Sequence, residues 1–173
     1  MTQYSKRIVI IHWLTLALLI VAWFLGENAH DARHDKVATL MDYYVHVSVG
    51  GTILLLTLTR LFYRNVDGTP PAMGNTPLDK AAKVAHYLLY TLLVLLPVSG
   101  VLQVVTSDLG KALLSGDVTL LPKNFDGVIA HDVHEILVTT LIVLVAMHLL
   151  GAIKHQFIDK DGLMKRMSPR RKI

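Results

Sequence analysis

With 53% hydrophobic and 17% charged residues in a chain of 173, and a mean hydropathy of +0.48, the sequence is too apolar for an ordinary water-soluble domain and falls in the membrane class. The absence of cysteine excludes disulfides, iron–sulfur clusters and thiolate chemistry, and leaves nine histidines as the candidate metal ligands. The net charge of +4 arises from basic residues that flank apolar stretches, which points to a lipid surface and away from nucleic acid.

Four stretches are long and apolar enough to cross a bilayer, at about 8–25, 44–63, 84–106 and 133–153. The first has a basic start, but its apolar run is too long for a cleavable leader. It reads as a spanning helix, with His12 about one turn in and Trp13 and Trp23 marking its two ends. The second carries His46 near its start, Gly50 and Gly51 about one turn later, and Arg60 and Arg64 at its close. The third is introduced by "TPLD", where Thr76 caps, Pro77 takes the first helical position and Asp79 completes a capping-box pattern. Pro97 is expected to bend that helix in mid-membrane. The fourth, beginning "VHEILVTTLIVLVAMHLL", is apolar except for one glutamate and two histidines, His134 and His148. Their interval of fourteen residues returns to within about 40° of the starting direction and covers about 21 Å of helix axis, so the two imidazoles share a face and lie near opposite sides of the membrane.

The chain therefore reads as all-α: a single integral membrane four-helix bundle over residues 1–173, with connections at about 26–42, 68–79 and 107–132. Of its seventeen lysines and arginines, only Arg33, Lys36, Lys111 and Lys123 fall on the side opposite the termini, which places both termini in the cytoplasm. The tail "MKRMSPRRKI" is then a cytoplasmic anchor on anionic lipid.

Ionisable residues inside a bilayer are expensive and raise a functional question by default. On this topology His12 and His148 lie at one depth near the cytoplasmic side, and His46 and His134 at one depth near the outer side. A single interfacial histidine is commonly a hydrogen-bonded neighbour of lipid headgroups. Two pairs at two matched depths are instead what two six-coordinate b-type haems require, one imidazole on each axial position inside a helical bundle. Gly50 and Gly51, and similarly Gly100 and Gly151, would let a porphyrin lie close to the backbone. His86 and His155 stand as alternatives to His12 or His148, or as substrate- or proton-handling groups at the membrane edge. Arg60 and Arg64 fit snorkelling anchors or, more sharply, partners for a haem propionate or a quinone headgroup. His30, His34 and His131 lie in the outer loops, where "HDVHE" has the spacing for an adventitious metal ion. A non-redox alternative makes the histidines a proton or metal-ion path.

The stretches "YSKRIVIIHWL", "HVSVGGTILLLTLTRLFYR", "AHYLLYTLLVLLPVSG", "HEILVTTLIVLVAMHLLGAIKHQF" and "DGLMKRMSP" resemble the bacterial cytochrome b561 family, over nearly the whole chain apart from the outer loops. The resemblance implies a bacterial inner-membrane protein with two haem b groups that exchanges electrons with ubiquinone. His12 and His148 would ligate the cytoplasmic-side iron, and His46 and His134 the outer one. It also implies either of two activities. One is superoxide:ubiquinone oxidoreduction, with superoxide or another one-electron donor at the periplasmic face, where Lys111, Lys123, Arg33 and Lys36 are the cations available to attract an anion. The other is a di-haem anchor that relays electrons between a partner dehydrogenase or hydrogenase subunit and quinone.

Overall fold

The computed structural model describes residues 3–71 and 74–168, and among these every regular element is helical. Helix α1 spans Lys6–His34, α2 Leu40–Asp67, α3 Pro77–Thr106, α4 Asp108–Ser115 and α5 Ile129–Ile153. A single 3₁₀ turn, Val118–Leu120, follows α4, and α5 winds into a wider π turn at Lys154–Asp159 before a last 3₁₀ segment at Leu163–Met167. The first three of the long helices, and α5 together with its π turn, are each long and apolar enough to span a membrane.

The helices outrun the apolar windows that announced them. Instead of stopping near residue 25, α1 continues to His34, so the connection expected at 26–42 shrinks to about one turn of chain. Hydropathy records only the part of a helix in hydrocarbon, whereas the backbone stays helical in the interface until a cap or a competing contact ends it. The Thr39 amide donates to Asp42 Oδ2 at 2.7 Å, fixing the start of α2. At α3 the box read from "TPLD" is present: the Asp79 amide donates to Thr76 Oγ1 at 3.2 Å, and the Thr76 amide donates to Asp79 Oδ2 at 2.8 Å. A cap of this kind contributes about 1 kcal/mol to its helix. The helix then runs unbroken through Pro97.

The connection at 107–132 is a built lid and not an open loop. Leu109 of α4 and Phe125 pack with Ala29 of α1 and Tyr43 of α2 in one buried cluster, and the Tyr44 hydroxyl donates to the Leu113 carbonyl. At the opposite end the last 3₁₀ segment straps onto the chain's beginning: the Tyr4 amide donates to the Arg166 carbonyl at 3.2 Å and Trp13 Nε1 to the Met167 carbonyl at 3.0 Å. Arg166 Nη1 reaches the Pro71 carbonyl at 2.7 Å. Both described ends therefore share one face, called here the near face, with the lid on the far face. The basic tail lies outside the described residues from 169 onward.

Packing is uneven around the bundle. Along their lengths α1 lies against α2, α3 lies against α5, and α2 meets α3, whereas α5 makes scarcely any backbone approach to α1 or α2. A mid-membrane core of Ile53, Leu92, Leu93 and Leu141 ties the helices together between the two levels of histidines. The outward surface is apolar, as Leu55, Phe62, Ile136 and Met147 illustrate, which suits contact with lipid.

Candidate functional site

Along α5, His134, Leu141 and His148 recur every seven residues, so the two histidines and a buried leucine make one stripe. That stripe meets His46 from α2 and His12 from α1. The His46 and His134 rings lie 6.3 Å apart, centre to centre, with planes at 72°. The His12 and His148 rings lie 6.3 Å apart at 76°. Two imidazoles on opposite sides of one metal ion, with bonds of about 2 Å and roughly 1 Å more from nitrogen to ring centre, stand about 6 Å apart. Edge-to-face packing of bare rings spans about 4.5–7 Å, so one such distance would be unremarked. Here the same separation recurs at both levels, across the helix pairs whose backbones stay apart.

The far-face pair is held by matched features of the flanking helices. Gly26 of α1 lies under His46, where an added Cβ would come within 3.2 Å of Cε1. Gly100 of α3 lies under His134, where it would come within 3.3 Å. One turn before each glycine a backbone carbonyl, Ala22 or Leu96, faces the corresponding imidazole. The Ala22 contact falls outside strict hydrogen-bond geometry, which leaves His46 Nδ1 buried and unpaired. Ser99 Oγ lies 2.9 Å from His134 Nδ1. Gly100 thus makes room for an imidazole and not, as expected, for a porphyrin. Gly50, half-buried and one turn beyond His46, and Gly151 have open space where a Cβ would stand, with no atom within 4 Å.

The near-face pair sits in a different setting. His86 of α3 joins it, 5.2 Å from His148 at 86°, with Nδ1 2.6 Å from the Ala82 carbonyl. Arg60 is close enough for its charge to act on both His12 and His148. Its Nε is buried without a hydrogen-bond partner, and its guanidinium lies 5.4 Å from the Tyr90 ring, with that of Arg64 at 5.6 Å. Arg7 is occupied by a two-pronged bond to Asp67 at 2.7 and 2.9 Å.

A match between sequence and family decides what these pairs belong to. The sequence model of prokaryotic cytochrome b561 matches residues 3–170. The chain belongs to that family. Cytochrome b562 of Cereibacter sphaeroides is 31% identical over 96% of this chain and 98% of its own length. Cytochrome b561 homolog 1 of Escherichia coli is 26% identical over 99% and 100%, and the probable superoxide oxidase CybB of Yersinia pestis 27% over 98% and 98%. A prokaryotic cytochrome b561 is a multi-pass membrane protein that transfers electrons with haem b. The donor set here fits that group: two facing imidazole pairs, with the buried, unpaired Nε of Arg60 near the His12–His148 pair.

The remaining expected residues divide. His155 does not join the cytochrome's near-face cluster. Its Nδ1 is 2.6 Å from Asp161 Oδ2 and 3.4 Å from Asp159 Oδ2, and Lys154 already occupies Asp159 at 2.5 Å. The Leu163 amide, and after it His155, hold the Asp161 carboxyl below the usual carboxylate range. In "HDVHE" the two histidines diverge: His134 turns into the bundle, while His131 stacks on Phe125 at 4.7 Å and contacts Glu135 at 3.2 Å. Of the far-face cations, Lys111 is bound to Asp108 at 2.7 Å, a contact that raises its pKa. Arg33 and Lys123 line a cavity of about 460 Å³ together with His30, His34 and His131, and with Asp126, Asp132 and Glu135. Gly26 and Ser99 escape a reading of the sequence. Ser99 carries only a weak signal, a hydroxyl beside a glycine in an apolar helix.

Proposed function

We propose that this cytochrome holds two haem b groups, one between His46 and His134 and one between His12 and His148, and moves electrons from a one-electron donor at the far face to ubiquinone at the near face. With the positive-inside orientation, the far face is periplasmic, the near face is cytoplasmic and the membrane is the bacterial inner membrane. The carrying observation is the repeated 6.3 Å separation of the two imidazole pairs. Haem held by His12, His148, His46 and His134 would supply reversible one-electron chemistry between donor and quinone.

The chain's own residues supply the rest. Arg60, with its buried unpaired Nε, offers a charge-assisted bond to a haem propionate or a quinone oxygen. His86, exposed and adjacent to His148, is the group placed to pass protons to reduced quinone. His155, committed to Asp161, is left with a structural role. The donor we favour is superoxide, the substrate named for the Yersinia pestis relative. Two superoxide anions each give up one electron and leave as dioxygen, while one ubiquinone takes the two electrons and two protons. Lys123, which lines the far-face cavity, is the cation we assign to meet the anion, since Lys111 is paired with Asp108 and Arg33 is engaged by His30 at 3.2 Å and the Phe125 ring at 4.6 Å.

A second reading, a di-haem anchor relaying electrons from a partner dehydrogenase or hydrogenase subunit, is favoured by the charge of that same cavity. Three carboxylates there offset the two cations. One preparation tests both readings: haem quantified per purified chain, then quinone reduction driven by a superoxide source. Two haems with rapid quinone reduction support the oxidase, two haems with no response to superoxide support the relay, and one haem or none overturns the paired-histidine reading.

A further inference from the structure

We propose that Ser99 is a positioning residue for His134, fixing its imidazole with the proton on Nδ1 and the lone pair on Nε2, and thereby setting its strength as an iron ligand. The proposal rests on the reading of His134 as an axial ligand. Ser99 lies within α3, 4% exposed. Its Oγ lies 2.7 Å from the Leu96 carbonyl oxygen. Two oxygens at that distance need a proton between them, and a carbonyl has none, so the serine hydroxyl donates its single hydrogen to Leu96. The same Oγ is 2.9 Å from His134 Nδ1. With its hydrogen already spent, Oγ can only accept there, so Nδ1 carries a proton. The Leu96 carbonyl, which also faces this ring, is likewise only an acceptor. Every partner of Nδ1 therefore demands a donor, and the neutral imidazole keeps its lone pair on Nε2, the nitrogen left to bind iron.

The partner ligand lacks this device. His46 sits over Gly26 as His134 sits over Gly100, and Ala22 and Leu96 are the matching carbonyls. By the same register Leu25 occupies the place of Ser99, and no hydroxyl meets His46, whose Nδ1 is unpaired. The two ligands of one iron are thus unequal. An acceptor behind Nδ1–H makes an imidazole a stronger donor to the metal and favours the oxidised, more electron-poor state.

The test uses the full-length, haem-loaded protein in detergent. Ser99→Ala should raise the midpoint potential of the far-face haem alone. A net hydrogen bond of this kind shifts its oxidised-to-reduced equilibrium about fivefold, or about 40 mV for one electron. The low-spin ferric electron paramagnetic resonance signal of that haem should shift as the ring loosens. Ser99→Thr, which keeps a hydroxyl able to bond the preceding turn, should restore both readouts. If Ser99→Ala strips the far-face haem while Ser99→Thr retains it, the proposal stands in a stronger form. Unchanged potential and resonance in Ser99→Ala, or threonine behaving like alanine, overturns it. Retention of both haems in His134→Ala would instead overturn the ligand reading beneath it.

Discussion

The two histidine pairs share a ring separation but differ in what holds them. At the far face each imidazole lies over a glycine of a neighbouring helix, a backbone carbonyl stands behind it, and the lid formed by α4 and Phe125 closes the end of the bundle. At the near face a third imidazole, His86, lies 5.2 Å from His148, and Arg60, half-buried, has a spare donor at its buried Nε. Locked imidazoles suit the proposed site that only passes electrons, because little rearranges when the charge changes. Spare polar groups suit a site that must also deliver protons and hold an anionic oxygen.

The strongest way to break this contrast is to remove the proposed ligands one at a time. His46→Ala or His134→Ala should halve the haem by abolishing the far-face group, and His12→Ala or His148→Ala should abolish the near-face group, each read as haem per chain with a difference spectrum. His86→Ala should keep both haems and slow only quinone reduction. If His86→Ala loses haem while His12→Ala keeps it, the near-face ligand has been misassigned.

Next in size is crowding of the far-face cradles. A Cβ at Gly26 or Gly100 already meets an imidazole carbon at 3.2 or 3.3 Å, so Gly26→Val and Gly100→Val should displace the ring and lower occupancy of the far-face haem several-fold, with the near-face haem intact. Gly151→Ala, with no protein atom within 4 Å of the new carbon, probes the room beside the near-face pair. Loss of the near-face absorbance there would show that a bound group fills that room.

A smaller effect is expected at Arg60. Arg60→Gln removes a charge but leaves hydrogen-bonding capacity, and it should weaken quinone turnover about threefold while the far-face spectrum stays unchanged. Equal disturbance of both haems would mean that the arginine acts on the whole bundle.

The smallest effect concerns the strap at the near face. Asp161 is held ionised chiefly by the Leu163 amide. A carboxyl whose native pKa is depressed stabilises the fold above its unfolded pKa and loses that contribution as the pH falls through its native value. Asp161→Asn should therefore speed hydrogen exchange at the Leu163 amide at neutral pH without altering either haem, and the wild-type protein should approach the variant only in acid. An altered haem spectrum would tie the strap to the near-face site.

Much of this was written in the chain itself. Apolar length determined four spanning helices, "TPLD" determined where α3 begins, and the fourteen-residue interval between His134 and His148 determined that α5 presents imidazoles at two levels, because helical rise and twist are properties of the backbone alone. The tertiary structure decided what those imidazoles meet. Which of His12 and His86 faces His148 at 6.3 Å depends on how α1 and α3 are rotated against α5, and that rotation is set by packing across the bundle. The order of the far-face connection was likewise invisible to hydropathy, since Leu109 and Phe125 are buried only once Ala29 and Tyr43 arrive from other helices. Ser99 and Gly26 matter for the same reason. A hydroxyl or a missing Cβ becomes informative only when a histidine from elsewhere in the sequence comes to rest on it.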